Sequence, residues 1–295
     1  MPLTAPISVI NPTYNRAPVL LRALNSVFRQ DLAVAEVIVV DDGSTDETRQ
    51  LIEDLAPPPW LSWQVVIQKN SGPAAARNHG IARSSQPYIA FLDSDDHWHR
   101  RKIACQFPLL LKNQEYLVSH TQEKWRYLGK HKNQKAIHIP RHGDIFAHCL
   151  QLCAVGMSTV IVRRELLATV GAFDETLPCC EDYDFWLRVS CRFPFLLVAQ
   201  PLTIKEGGHQ DQLSRRFRVG MDSFRLQSLT NLLKAGLPDS ARQLLTLKEL
   251  ERRSAIYAQG CMKHDKPAMA SQVLAGIAEG RRISMEKFPE LEEML

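Results

Sequence analysis

The stretch AEVIVVDDGSTDET, which runs from Ala35 to Thr48, decides the fold class of this chain. Its apolar block, Val37 to Val40, does not alternate with polar residues, and this is typical of a parallel strand buried on both faces of a sheet. Two aspartates follow at once, and hydroxyl side chains in the turn can cap a helix that begins near the end of the stretch. The stretch therefore predicts a strand, a polar turn and a helix in succession.

The same pattern recurs on both sides of this stretch. The further strand and helix candidates are ISVINPTYN with APVLLRALNSVFRQ, WQVVIQ with GPAAARNHGIARS, and the strand YIAFLDSDD. Alternating strands and helices over the first hundred residues predict an α/β fold with a Rossmann-like, mostly parallel sheet flanked by helices. Ligands of such sheets bind at the carboxyl ends of the strands. The acidic residues that follow the second and fourth strands are therefore candidate site residues.

Composition narrows the class of protein. The 295 residues are 45% hydrophobic with a formal net charge of +4, which is ordinary for a globular protein. The longest apolar stretches fall short of the roughly 20 residues that span a bilayer, and the amino-terminal sequence lacks the basic flank of a signal peptide. Seven cysteines without Cys-x-x-Cys spacing indicate reduced thiols. We expect a cytoplasmic protein.

Two local segments are strongly basic, Lys124 to Lys135 and Arg215 to Arg218. Solvated loops explain both segments, and contact with an anionic membrane face or a phosphorylated ligand is the functional alternative. No nucleic-acid-binding motif accompanies them, so we expect no nucleic acid partner. A peripheral position on the inner face of the membrane is compatible with this charge.

The segment YIAFLDSDD leads an apolar strand into Asp93, Asp95 and Asp96. In an extended segment, residues two apart point the same way, so Asp93 and Asp95 can converge on one point. Two oxygen donors without a neighbouring thiolate suit Mg²⁺ or Mn²⁺, and open coordination positions suit the phosphates of a ligand. The alternative is an Asp-rich turn that caps a helix beginning near His97.

The chain contains neither G-x-x-x-x-G-K-[ST] nor G-x-G-x-x-G, so a glycine-rich phosphate loop has no support. The segments SVINPTYNR, VIVVDDGSTDET, GPAAARNHGI, YIAFLDSDD and CEDYDFWLRVS occur in this order. With them the chain resembles the inverting nucleotide-sugar glycosyltransferases of family 2, which have the GT-A fold. The resemblance covers roughly the first two hundred residues.

The resemblance implies a role for the matching residues on the nucleotide side. The segment at the end of the first strand would cradle the base and ribose, and Asp42 would accept a hydrogen bond from uracil. Arg77 would border the donor pocket. The residues implied at the end of the first strand are Pro12, Thr13 and Tyr14.

The resemblance also implies the metal and catalytic residues. Asp95 would bind Mn²⁺ or Mg²⁺, and Asp93 would contact the sugar of the donor. Asp182 would be the general base that deprotonates the acceptor hydroxyl. His209 would lie near the metal or the diphosphate, with an ordinary surface histidine as the alternative.

From about Met221 the composition shifts to helix formers, which predicts two or three antiparallel helices. We predict a catalytic domain over residues 1–220 and a C-terminal helical region over residues 221–295. The helices could cover the catalytic domain, or serve in dimerisation, acceptor binding or membrane docking. The oligomeric state stays open.

The resulting hypothesis is a metal-dependent inverting glycosyltransferase. It would move a sugar, with UDP as the expected nucleotide, to a saccharide or lipid-linked acceptor in cell-surface polysaccharide synthesis. A glycoside hydrolase also needs two carboxylates, but it requires neither a metal motif nor a nucleotide pocket. A nucleotidyltransferase and a non-catalytic glycosyltransferase-like scaffold are two further hypotheses.

Overall fold

The computed structural model describes residues 2–208, 212–217 and 220–294. Within these ranges, nine strands form one sheet. The strands are β1 (Thr4–Thr13), β2 (Ala33–Asp41), β3 (Ser62–Ile67), β4 (Tyr88–Phe91), β5 (His97–Trp98), β6 (Val118–Tyr127), β7 (Lys130–Lys132), β8 (Ile161–Arg163) and β9 (Phe195–Gly207).

Eleven α-helices accompany the sheet in the same described ranges. They are α1 (Ala17–Phe28), α2 (Thr48–Glu53), α3 (Gly72–Arg83), α4 (Lys102–Lys112), α5 (Phe146–Gln151), α6 (Arg164–Val170), α7 (Glu181–Ser190), α8 (Leu213–Arg216), α9 (Met221–Ala235), α10 (Ser240–Lys263) and α11 (Pro267–Lys287). None of these described helices is both long and apolar enough to cross a membrane.

The sheet has a parallel half and a mixed half. Its strand order is β3-β2-β1-β4-β8-β6-β9-β5, with β7 paired to the outer part of β6. The first four strands are mutually parallel, as the alternating pattern predicts, whereas β8 runs antiparallel to both β4 and β6. The α/β interpretation is confirmed. The carboxyl ends of β1, β2 and β4 therefore lie at one edge of the sheet.

The unalternating apolar block in β2 is buried on both faces, as predicted. Val37 and Val39 pack in a cluster with α1 and α4, and Ile38 and Val40 pack in a second cluster with α3. All four side chains are fully buried. Helices pack on both faces of the sheet and hold its strands in place, and the positions of the strand ends follow from this packing.

The C-terminal helices α9, α10 and α11 lie where the composition predicts helices. Leu229 of α9 and Leu247 and Leu250 of α10 belong to the same hydrophobic cluster as Trp186 of α7. Buried Arg253 of α10 donates to the backbone oxygen of Gln151 at 2.6 Å. The helices thus share a core with the sheet, and the domain boundary at residues 220/221 remains a prediction.

Leu247→Ala is expected to lower the free energy of unfolding by about 2–5 kcal/mol, because the leucine is fully buried in this shared cluster. Leu245→Ala on the same helix is the matched control, since that leucine is 44% exposed. Urea unfolding of both variants measures the difference. Equal stabilities would show that α10 does not stabilise the catalytic part of the chain.

Candidate active site

The acidic segment after β4 is a turn and not an extended strand. The backbone N–H of Asp96 donates to the carbonyl oxygen of Asp93 at 3.0 Å, which closes a four-residue turn. The extended backbone predicted for this segment is therefore wrong, although the Asp93 carboxylate does lie close enough to Asp95 to raise its pKa. The helix-cap alternative is also wrong, because His97 lies in β5 and α4 begins only at Lys102.

Arg77 joins the acidic turn to α7. Its guanidinium donates to Asp93 Oδ1 at 2.8 Å and to Glu181 Oε1 at 2.6 Å. Arg77 and Glu181 are both buried, and Asp93 remains about one-third exposed. Although burial alone would lower the pKa of Arg77, the two carboxylates raise it. This bridge connects two motifs that lie 104 residues apart in the chain.

The bridge changes how the two predicted roles are understood. Arg77 and Asp93 do come together, but the arginine is paired with the carboxylates of Asp93 and Glu181. Its contact with a nucleotide stays a prediction. The sequence assigns Glu181 no role of its own, and nothing in a short acidic motif indicates which distant arginine will neutralise it.

Asp95 is half-buried and lies near a second carboxylate, that of Asp93. Burial and the neighbouring Asp93 carboxylate raise the pKa of Asp95, and the charges of Arg16 and Lys205 only partly oppose them. A half-buried carboxylate near another carboxylate fits a site for a divalent cation, because the cation would relieve the repulsion between the two negative charges. Among the described residues, no group of three or more His, Cys, Asp or Glu side chains is arranged to hold a metal ion. A cation at Asp95 would therefore need further oxygen ligands from the donor.

His209, the second predicted metal residue, lies outside the described residues. Its role stays a prediction.

Asp96 anchors the acidic turn to two other parts of the sheet. Its Oδ2 accepts a hydrogen bond from Ser158 Oγ at 2.7 Å, and its Oδ1 accepts one from the backbone N–H of Glu206 at 3.1 Å. Ser158 Oγ also accepts from the backbone N–H of Asp93 at 3.1 Å. These contacts hold the acidic turn to Ser158 and to strand β9. The sequence carries no signal for Ser158, which lies within a run of apolar residues.

The nucleotide-side residues lie at the ends of β1 and β2. Asp42 is buried, and its carboxylate accepts three hydrogen bonds at 2.8 Å, from Gln68 Nε2 and from the backbone N–H groups of Ser71 and Gly72. It therefore holds the first turn of α3 in place, and a further bond from uracil stays a prediction. At the end of β1, Pro12 is half-buried and Tyr14 is 40% exposed.

Thr13 is also at this edge, paired in register with Asp41 of β2. Its hydroxyl is buried and, within the described part of the chain, has no hydrogen-bond partner. An unpaired buried hydroxyl is costly, so a ligand at this edge would be stabilised by pairing with it.

Of the adjacent acids Glu181 and Asp182, Asp182 is the more exposed. It lies in the first turn of α7 and is half-buried, whereas Glu181 is buried and paired with Arg77. The backbone N–H of Tyr183 donates to Asp182 Oδ1 at 2.7 Å, and the Cys153 thiol also hydrogen-bonds to the Asp182 carboxylate. Burial and the Asp182 carboxylate together raise the pKa of the Cys153 thiol, so this cysteine stays protonated beside it.

A family model described as glycosyl transferase family 2 matches residues 8–170, which is more than half of the chain. The chain belongs to glycosyl transferase family 2. The matched part includes Arg77 and the acidic turn, and it ends before Asp182. This is the family that the sequence segments resemble.

Relatives of this chain come from several bacteria. An uncharacterized glycosyltransferase of Rickettsia bellii is 35% identical over 193 residues, which are 64% of this chain and 27% of that protein. A putative teichuronic acid biosynthesis glycosyltransferase of Bacillus subtilis is 32% identical over 54% of this chain and 62% of its own length. The UDP-Glc:alpha-D-GlcNAc-diphosphoundecaprenol beta-1,3-glucosyltransferase of Escherichia coli is 29% identical over 62% of this chain and 69% of its own. The chain spans less than a third of the Rickettsia relatives that it matches.

Solved structures with the same fold include residues 1–349 of TarS from S. aureus. The complex of TarS with UDP-GlcNAc has a TM-score of 0.71 at 18% identity, and the match covers 97% of this chain and 90% of that chain. The complex with UDP has a TM-score of 0.70 at 20% identity, with 94% and 82% covered. These likenesses confirm the GT-A fold expected for this chain.

Proposed function

We propose that this enzyme transfers a sugar from a UDP-sugar to a hydroxyl of a saccharide or lipid-linked acceptor, with inversion at the anomeric carbon. The observation that carries the proposal is the bridge from Asp93 through Arg77 to Glu181. It holds the acidic turn, on the donor side, at a fixed position relative to the first turn of α7. The half-buried Asp182 carboxylate follows Glu181 directly in α7, and in this proposal it serves as the base beside the donor site.

Each carboxylate has a separate task in this proposal. Asp182 takes the proton of the acceptor hydroxyl as that oxygen attacks the anomeric carbon. Asp93, held by Arg77, orients the sugar of the donor through its remaining oxygen. Attack from the face opposite the diphosphate inverts the configuration, and no covalent sugar intermediate is needed.

Asp95 would hold a Mn²⁺ or Mg²⁺ ion in this proposal. When bound, the ion would offset the negative charge that develops on the departing diphosphate. The half-buried position of Asp95 near the Asp93 carboxylate supports a cation at this position.

The names of the relatives support the choice of donor and acceptor. The Escherichia coli relative carries UDP-Glc and a diphosphoundecaprenol-linked sugar in its name, and the Bacillus subtilis relative carries teichuronic acid biosynthesis. We therefore propose cell-surface polysaccharide synthesis as the setting. A position at the cytoplasmic face of the membrane would place the enzyme where nucleotide sugars and lipid-linked acceptors meet.

The donor site is tested by calorimetric titration with UDP and with GDP, each with and without Mn²⁺. We expect UDP with Mn²⁺ to bind most tightly, and Asp95→Asn to weaken that binding by about tenfold or more, because the variant removes a charged ligand of the ion. Asp265→Asn, an exposed change in the turn between α10 and α11, is the matched control. Equal affinities for UDP and GDP would contradict the UDP assignment, and unchanged Mn²⁺ dependence in Asp95→Asn would contradict the metal site.

A further inference from the structure

Strands β6 and β7 form a hairpin, and we call its residues Lys124 to Lys135 the basic hairpin. Tyr127 pairs with Lys130, so the turn consists of Leu128 and Gly129 alone. Both turn residues have positive φ, 48° and 74°. Hairpin turns of this kind favour Asn-Gly, because a leucine in the left-handed region is strained.

The strained leucine is also exposed. Leu128 at the tip of the basic hairpin leaves 67% of its surface in contact with solvent. The side chain lies beside Gly208 next to the end of β9, and most of it is nevertheless exposed. An exposed apolar side chain at the end of a hairpin is suited to contact with an apolar phase.

The surroundings of the tip are cationic. Residues 124–143 contain six lysines and arginines and no aspartate or glutamate. Besides Leu128, three large apolar side chains in this range are between 44% and 45% exposed, namely Tyr127, Ile137 and Ile139. The exposed lysines beside them are Lys130, Lys132 and Lys135.

This mixture identifies the kind of partner. A soluble polyanion would bind the lysines and arginines but would gain nothing from an exposed leucine. An anionic bilayer binds both, because its headgroups attract the cations and its apolar interior accepts the leucine by shallow insertion. Tyrosine and lysine are suited to the same interface because their apolar bodies lie in the lipid and their polar ends in water.

The basic hairpin continues directly from the candidate site. The charge of Glu123 in β6 is the largest cause of the raised pKa of Lys205, and Asp96 and Asp93 of the acidic turn add to it. Leu128 lies five residues beyond Glu123, which is about 16 Å along an extended strand. A bilayer that binds the hairpin tip would therefore also keep the candidate site at a short distance from the membrane surface.

We infer that the basic hairpin docks this glycosyltransferase on an anionic lipid surface, with Leu128 inserted at the headgroup boundary and its lysines on the headgroups. The inference goes beyond the proposed function, since docking requires neither donor nor acceptor. A protein that does not bind vesicles could still bind UDP, so failure of the docking inference can be distinguished from failure of the proposed function.

The first test is sedimentation of the full chain with vesicles of phosphatidylcholine, alone or mixed equally with phosphatidylglycerol. The triple variant Lys130→Glu, Lys132→Glu and Lys135→Glu is expected to bind the mixed vesicles at least about tenfold more weakly. The control carries the same charge change on exposed lysines elsewhere, as Lys248→Glu, Lys263→Glu and Lys266→Glu. Equal loss in both triples, or equal binding to both kinds of vesicle, would overturn the inference.

The second test separates lipid insertion from simple charge attraction. Leu128→Asn places a favoured residue in the turn, so the melting temperature should stay the same or rise. Binding to the mixed vesicles should nevertheless fall by about threefold or more, because the apolar tip is lost. Unchanged vesicle binding by Leu128→Asn, together with binding of the wild type to a soluble polyanion such as heparin, would show a polyanion site and overturn membrane docking.

Discussion

Asp182→Asn is expected to lower turnover by roughly 10²–10⁴, which is about 3–5 kcal/mol of activation free energy, while UDP binding with Mn²⁺ stays near that of the wild type. An amide cannot take the proton of the acceptor hydroxyl. It can still accept the hydrogen bond that the Tyr183 N–H gives to Asp182 Oδ1, so the start of α7 should keep its shape. A transfer assay beside a calorimetric titration measures both quantities.

Asp265→Asn serves again as the control for an Asp-to-Asn change that lies away from the site. Glu181 is not a suitable control, although it is the neighbouring acid, because it is paired with buried Arg77. Near-normal turnover in Asp182→Asn would remove it as the base. Loss of UDP binding as severe as in Asp95→Asn would show instead that Asp182 belongs to the donor site.

The sequence predicts the parallel half of the sheet well because its signals are local. An apolar block buried on both faces, as in β2, needs no distant contact to be recognised. The sequence signals of the loops after β2 and β4 are equally local, and these loops place Asp42 and the acidic turn at the same edge of the sheet. The antiparallel insertion of β8 between β4 and β6 is a long-range pairing, and no local pattern indicates it.

The sequence predicts the candidate site as a set of carboxylates, and the structure adds their neutralising partners. Arg77 reaches Glu181 across 104 residues, and Ser158 reaches Asp96 across 62. Such partners are determined by packing of α3, α7 and the sheet, and a single serine or arginine carries no sequence signal of its role. Strand alternation also does not describe the backbone of the acidic turn, because strand β4 ends at Phe91 and a turn follows.

Arg77→Met is expected to lower the free energy of unfolding by about 3–5 kcal/mol near neutral pH, since it leaves buried Glu181 without its partner. Burial already raises the pKa of Glu181, and the Arg77 charge opposes that rise. Without Arg77 the folded-state pKa should rise further above the unfolded value. Stability that depends on protonated Glu181 is present at low pH and lost as the pH rises through the folded pKa. The loss of unfolding free energy in Arg77→Met should therefore be larger at about pH 8 than at about pH 5, as measured by urea unfolding at both pH values.

The double variant Arg77→Met with Glu181→Gln identifies the cause of this loss. An uncharged amide needs no neutralising partner, so the double variant should regain part of the stability and lose most of the pH dependence of the deficit. Arg282→Met is the matched control, because Arg282 pairs with Glu279 and Glu286 on the exposed surface of α11, where an ion pair adds little. If Arg77→Met is as stable as the wild type at about pH 8, or if Glu181→Gln adds to its loss, then the bridge does not hold the acidic turn to α7.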